Sequence, residues 1–427
     1  MLSTTHSSNN RLTVLLKMAS IGLILVYLIN CFTPLRLHVD TIRYFFLKDC
    51  MEHNCSPGER GSDDYLPVGY TFLLVILSKF GILKSFVIVL TNCIYLFGSL
   101  YFIKKIFRFS TEQFLLVAFF VLLNWGSIKF VVHPLSEMQF MFFSLASVCA
   151  FQWYSQQRKW WQLGLAIGLC IMGILTRTAG IALFFGILFS LVWIYWKQLK
   201  HFLSTHKLLV AIGIASVAAV FFFAKELGLT YYTSFVTSSA KQDLGTFIAT
   251  NVQHHLEEVA ELTANIPANK VYQYIPSRPG QILFLGFGAA ALLLYGYLVF
   301  IRKNNIPVIV KAYLAFYFIL IFNWPFFDPR FFVPMVPLMI ASLVAVPVKK
   351  NQFGKILTVV FCIAYIIGGV VATGYTTYTS LNKEVLARKH ANGVYRNEYE
   401  THFYKAPLSD TAKRTDPGIL RILNRYD

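Results

Sequence analysis

An all-α polytopic membrane protein is the fold class this sequence predicts, on three observations. Hydrophobic residues make up 56% and charged ones 14% of the 427 residues, with a mean hydropathy of +0.57; soluble domains carry about 25% charge. Apolar runs approaching the roughly 20 residues that cross a bilayer as helix recur along the whole chain. The alternating strands of about 10 residues that a membrane β-barrel needs are absent. A soluble enzyme is therefore excluded. The 38 Lys plus Arg outnumber the 20 Asp plus Glu mostly in short loops between the runs, where bases set topology, so nucleic acid is not expected as a partner.

The first run, residues 12 to 32, is long enough to span and lacks a small-residue cleavage site. It reads as an uncleaved anchor, with Arg11 and Lys17 holding the N-terminus inside. Residues 66 to 82 form a shorter run, with Pro67, Gly69 and Tyr70 early and Lys79 late; this composition suits a re-entrant or surface-lying segment. Further spans are expected at 84 to 103, 113 to 131, 137 to 154, 160 to 176, 178 to 196, 207 to 224, 280 to 301, 306 to 325, 331 to 347 and 355 to 375. Basic connections at Lys104, Lys105 and Arg108, at Arg158 and Lys159, at Lys197, Lys200 and Lys207, at Arg302 and Lys303, and at Lys349, Lys350 and Lys355 alternate with base-poor ones near Pro134, Arg177 and Asp328. Counting 66 to 82 as a crossing would break this alternation by one, so about 11 spans are expected, with a cytoplasmic N-terminus and an outer C-terminus.

The chain thus divides into an N-terminal membrane module (1–225), an outer loop (226–279), C-terminal transmembrane helices (280–375) and a polar, basic tail on the outer side (376–427). Within the outer loop, Phe247, Ile248, Val252, Leu256, Val259 and Leu262 recur at helical spacing, which suggests an amphipathic helix on the membrane surface. Cys93, Cys149, Cys170 and Cys362 fall in apolar runs as packing residues. Cys50 and Cys55, in a polar outer loop, are free to pair or stay reduced according to the compartment. There is no internal repeat, no phosphate-binding glycine loop and no zinc spacing.

Ionisable groups at membrane boundaries are costly unless paired or functional. Four places qualify, all on the expected outer face. Asp40 follows the first span, where it can cap a short helix or act as a base. Glu137, in His133-Pro134-Leu135-Ser136-Glu137, opens a span, where the helix dipole also favours it. Arg177 ends a span in Leu175-Thr176-Arg177, as an interfacial anchor or a site residue. Asp328 and Arg330 stand together in Phe327-Asp328-Pro329-Arg330, as a structural pair or a site. Lys129 and His133 are further candidate donors to phosphate beside the same boundary. Acids and arginines converging at one membrane surface suit a phosphate-bearing lipid, because the guanidinium fork matches phosphate oxygens. Phosphate is already a good leaving group, so transfer of a sugar from it needs a base and cations but no acid.

The order of these elements resembles the GT-C superfamily of membrane glycosyltransferases, which includes protein O-mannosyltransferases and bacterial aminoarabinose transferases. The resemblance runs from Leu12 to about Gly180 and again over Asp328 to Pro337. It rests on Val39-Asp40 through Tyr44, Tyr65-Leu66-Pro67-Val68-Gly69-Tyr70, Ser136-Glu137, Leu175-Thr176-Arg177, and Arg330-Phe331 with Pro334 and Pro337. A single Asp at 40 and Thr178 after Arg177 depart from patterns common among relatives. The resemblance implies a GT-C-like bundle with surface helices in the first outer loop. It implies an inverting transferase that moves a sugar from a polyprenyl-phosphate (dolichyl-phosphate-like) donor to a lipid, glycan or protein acceptor on the outer or lumenal face. Asp40 is then the base and Glu137 positions acceptor, donor or metal; Arg177 and Arg330 hold the phosphate, and Tyr44, Tyr65, Tyr70 and Asp328 lie near substrate. No cofactor is required by the residues; a divalent cation, if one takes part, falls to Asp40 and Glu137. A transporter or lipid flippase, or a polymerase or ligase of prenyl-linked glycans, stays open as an alternative. Midplane stretches such as 181 to 191 and 282 to 294 carry no charge, which argues against a translocation path.

Overall fold

The structure is a computed structural model that describes residues 4–56, 61, 66–198, 244–275, 277–347, 352–390, 401 and 416–427. The expected run at 207 to 224 and Tyr65 lie outside the described residues. Among the described residues every regular element is helical.

Helix α1 (Thr4–Asn30) leads through an extended stretch into α2 (Val39–His53). The His38 side chain accepts from the Asp40 amide at the start of α2, and Asn54 closes it in the left-handed conformation that Asn tolerates. Cys50 and Cys55 form a disulfide across that end. Helix α3 (Val68–Lys79) has 12 residues. It therefore rises about 18 Å against about 30 Å of hydrocarbon, too little to cross. Gly69 lets its first turn lie directly on the backbone of residue 175, where an added Cβ would meet the Leu175 carbonyl oxygen at 2.7 Å.

Helices α4 (Ser85–Phe107), α5 (Thr111–Leu122), α6 (Trp125–Val131), α7 (Glu137–Gln157), α8 (Trp160–Thr176) and α9 (Gly180–Ile194) build the rest of the N-terminal module. Helix α7 runs through its middle, packed along α4 and α8. The expected span at 113 to 131 is broken, α5 and α6 meeting at 65°. Asn124 explains the bend. Its carboxamide oxygen caps the Gly126 amide at 3.0 Å, and its amide donates to the Leu262 carbonyl and the Tyr365 hydroxyl. Asn265 accepts from the Trp125 amide at 2.6 Å and donates to the Leu123 carbonyl, so the backbone groups freed by the bend find partners inside protein.

The second half comprises α10 (Leu244–Ala264), α11 (Ala268–Val271), α12 (Ser277–Gly296) continued by a π-turn (Tyr297–Ile301), α13 (Val308–Phe322), α14 (Val336–Ala345), α15 (Gln352–Leu381), α16 (Lys383–His390) and α17 (Pro417–Tyr426). The span expected at 331 to 347 is instead two 3-10 turns, Pro329–Phe331 and Val333–Met335, followed by the 10-residue α14. Pro329, Pro334 and Pro337 withhold the amides a continuous helix would use.

Helix α10 buries a mixed stripe, Asn251, His255, Glu258, Val259, Ala260 and Leu262, and leaves Ile248 and Val252 exposed on its other side. His255 joins Glu258 at 2.7 Å and the Trp324 carbonyl at 2.8 Å. Gly288 lets α12 approach so closely that a Cβ there would meet the Leu256 oxygen at 2.0 Å.

Of the polar tail, the described α17 is an ordered cap on α2. Tyr426 stacks on Phe45, Arg421 bonds Asp49, and the wholly buried Lys48 ammonium meets Asp49, Glu52 and the Tyr426 hydroxyl.

Four described helices are long and apolar enough to cross a membrane, Arg11–Asn30, Ser85–Phe107, Arg278–Ile301 and Gly354–Leu381, or five if the bent α5–α6 pair is one span. Leu15, Met18, Leu293, Leu294, Val359 and Val371 on three of them are more than half exposed. Such apolar surface suits lipid rather than water, so the chain is a helical membrane protein.

Candidate functional site

The four boundary segments meet at one end of the bundle. There they surround a cavity of about 600 Å³. His38, Asp40, Arg43 and Tyr44 of the α2 region, Leu66 and Pro67 before α3, and Arg177, Thr178 and Ala179 between α8 and α9 line one part of it. Ile181, Leu320, Ile321, Trp324, Phe326 and Phe327 form an apolar wall, and Asp328, Arg330 and Phe331 complete the lining.

Arg330 holds the centre. It is 9% exposed, its Nη2 lies 2.5 Å from Asp40 Oδ2, and its Nε lies 3.2 Å from Asp328 Oδ2 and 3.8 Å from Glu137 Oε1. The Asp328 carboxylate also accepts from the Arg330 amide at 3.0 Å, which starts the 3-10 turn and fixes where the guanidinium points. Arg177 is ion-paired to Glu137. Both guanidiniums lie near the Phe331 ring, at 5.3 and 5.1 Å from its centroid, so each like charge gains a cation–π contact there. The backbone of residue 331 is pinned in turn by the Tyr317 hydroxyl, which donates to its carbonyl at 2.5 Å.

Asp40 is held from two sides. Arg43, one helical turn on, lies 3.1 Å from its Oδ1. Burial pushes its carboxyl up, but Arg330, by charge and hydrogen bond, with Arg43 behind, more than reverses this and holds it below the ordinary carboxylate range. His38 is pushed down, first by burial and then by Arg330, against the pull of Asp328, Asp40 and Glu137. Its Nδ1 takes the Asp40 amide at 3.3 Å and lies 3.5 Å from Arg330 Nη1, and its Nε2 lies 4.0 Å from Asp328. A proton on Nδ1 would confront two donors, so the imidazole is neutral there.

The structure thus gathers Asp40, Tyr44, Arg177, Asp328 and Arg330 on one cavity. Glu137 stands apart: it is 1% exposed and lies behind the arginines, outside the cavity lining. Tyr70 is fully buried, its ring 4.9 Å from that of Tyr44, and is not on the lining either. Tyr44 donates to Ser136 Oγ at 2.9 Å and Thr41 to the Pro134 carbonyl at 3.1 Å, which ties α2 to the loop that delivers Glu137. Lys129 and His133, expected to add donors, do not line the cavity. Lys129 lies over the Trp125 and Phe130 rings, and His133 Nδ1 bonds the Lys129 carbonyl at 2.7 Å. Both stay close enough to the site to act on it by charge, Lys129 on Asp328 and Arg330 and His133 on His38, without reaching the cavity wall.

His38 and Arg43 escaped the sequence reading. Arg43 carries a legible signal, an acid and a base three residues apart on one helix face. Asp40 and Glu137 are each neutralised by arginine, and no group of three His, Cys, Asp or Glu side chains is placed to hold a metal among the described residues. No family model, curated protein or solved structure matches this chain.

Proposed function

We propose that the protein is an inverting, GT-C-like glycosyltransferase that takes a sugar from a polyprenyl-phosphate donor on the outer or lumenal face of its membrane. One observation carries this reading: arginines and a carboxylate from separate segments share a cavity whose other wall is apolar. Arg330 and Arg177 present planar forks for phosphate. Ile181, Leu320, Ile321 and Trp324 offer a surface for the first prenyl units.

In the reaction the acceptor hydroxyl gives its proton to Asp40 as its oxygen attacks the anomeric carbon. The bond from that carbon to phosphate breaks on the opposite face, and its electron pair leaves with prenyl phosphate, whose charge the arginines hold. One displacement inverts the anomeric centre. Glu137, behind the arginines, is a positioning residue that fixes Arg177 and meets Arg330 from the rear.

The expected topology of about 11 spans with an inner N-terminus is part of this proposal. It is supported by the grouping of basic loops at the end of α4 and α7 remote from Glu137, where Arg108 bonds Gln156 and Arg158 covers Tyr195. Lys79 is exposed at the site end. A cysteine introduced there should be labelled only from the outer side, and labelling from the cytoplasm alone would overturn the orientation.

The catalytic test compares wild type with Asp40→Asn, purified and incubated with a panel of prenyl-phosphate sugars and host lipid extract, reading prenyl phosphate release by mass spectrometry. Removing a general base costs on the order of 100-fold or more. Release that is equal in the folded variant refutes Asp40 as the base. Absence of release from every donor, with prenyl lipid moved across vesicles instead, turns the assignment to transport.

A further inference from the structure

We infer that the site is self-neutralised, and that an anionic phosphate headgroup enters by displacing the Asp40 carboxylate from Arg330, so that binding the donor frees the base. This rests on the function proposed above and specifies how that site is regulated. Three guanidiniums (Arg43, Arg177 and Arg330) face three carboxylates (Asp40, Glu137 and Asp328). Each of the three guanidiniums is already within ion-pair distance of a carboxylate, and Lys129, which also acts on Asp328 and Arg330, is off the cavity wall, so a phosphate that meets Arg330 at its Nη2 edge does so by exchange.

The geometry selects which carboxylate gives way. Glu137 is 1% exposed and off the cavity wall, so it holds Arg177 from behind and has no room to swing away when a ligand meets Arg177 from the cavity side. Asp328 is on the wall but its carboxylate also caps the Arg330 amide, and removing it would undo the 3-10 turn. Asp40 remains. It lines the cavity, its side chain is 17% exposed, and it meets the outer edge of Arg330 through Nη2. Once displaced it keeps Arg43 at 3.1 Å and the positive end of α2, so it is not stranded.

A prenyl-phosphate sugar is a phosphodiester with one negative charge, like the carboxylate it replaces, so the exchange leaves the balance of the cluster unchanged. The side chains that act on Asp40 are Arg330 from the second half of the chain and Arg43 and His38 beside it; of the cations from other elements Arg330 bonds it directly. Paired to two arginines, Asp40 is a poor base, and loss of one restores basicity. The donor therefore switches on the group that attacks on its behalf, and an empty site holds its base inactive.

The experiment titrates prenyl monophosphate, with the uncharged prenol as control, into wild type and Asp40→Asn reconstituted in nanodiscs. Asn removes the competing charge but keeps the shape. Binding at least about fivefold tighter in the variant, with turnover lost, is expected, the coupling being that between two ligands of one cation. Equal or weaker binding in the variant, with wild type still preferring phosphate over prenol, overturns the exchange and leaves the proposed function standing. No preference for phosphate over prenol in either protein overturns both. Should Asp40→Asn fail to fold, Asp40→Ser also suits a helix start and makes the same comparison.

Discussion

The Glu137 to Arg177 pair can be weighed on its own by a double-mutant cycle. Glu137 is 1% exposed and the Arg177 side chain 14%, so neither charge is fully relieved by water when its partner is removed. Breaking such a pair from one side costs about 3–5 kcal/mol, chiefly the burden of the stranded charge. Glu137→Gln leaves Arg177 without its carboxylate and with only its cavity edge wet; Arg177→Gln leaves a buried carboxylate 3.8 Å from Arg330 alone. The double variant leaves two amides able to bond each other, so its loss should fall short of the sum by about 2–3 kcal/mol. The assay is reversible unfolding in mixed micelles, followed for wild type, both single variants and the double. A parallel cycle of Glu137→Gln with Arg330→Gln should couple less, because that pair sits at 3.8 Å and Arg330 keeps two other acids. Losses that add to within about 0.5 kcal/mol for the Arg177 cycle would show that the two groups do not depend on each other, and Glu137 would lose its positioning role.

Gly288→Ala places a methyl against the Leu256 carbonyl of α10, and a destabilisation of about 1–3 kcal/mol, read by the same unfolding assay, is expected. Glu261, on α10, is pushed up to about 7, first by burial and against the Ala268 amide and the Lys129 charge. Because its folded state holds the proton more tightly than the unfolded chain, stability falls as pH rises from the ordinary carboxylate value through about 7. Glu261→Gln, which can still accept from Ala268, should flatten that slope and leave stability at pH 4 unchanged; an unaltered profile refutes the assignment. Asp40 is held low in the free protein and loses Arg330 to the donor, so the acid limb of kcat/KM should lie below that of kcat. Coincident limbs in initial-rate pH profiles would contradict it.

The positions of Asp40, Glu137, Arg177, Asp328 and Arg330 were legible because each is an ionisable residue where an apolar run stops, and the parity of the basic loops puts all five on one face. How they pair was not. Which acid holds Arg330 depends on a 3-10 turn set by Asp328 and Pro329, and nothing in the separate segments encodes that Phe331 meets both arginines. At α10 apolar periodicity marks only part of the buried face, Val259 and Leu262, because the same stripe also carries Asn251, His255 and Glu258. Hydropathy reads burial in lipid and burial in protein alike, but a helix that packs against broken helices must bring hydrogen bonds.

That requirement links the irregular backbone to the site. The α5–α6 bend and the 3-10 turns at Pro329 and Val333 expose backbone polar groups that lipid cannot satisfy. Residue 262 of α10 and Asn265 just past its end serve the first through Asn124 and Trp125, and His255 of that helix donates from Nε2 to the Trp324 carbonyl on the way to the second. One polar helix thus closes both breaks, and between them lies Arg330. The short turns have a purpose that a straight helix could not meet. They place a cation from the second half of the chain within 2.5 Å of an acid from the first, 290 residues apart in sequence. A helix continuing unbroken from Phe331 would carry that guanidinium along its own axis instead of across to Asp40, so the breaks and the polar helix that covers them belong to the same design as the ion pair.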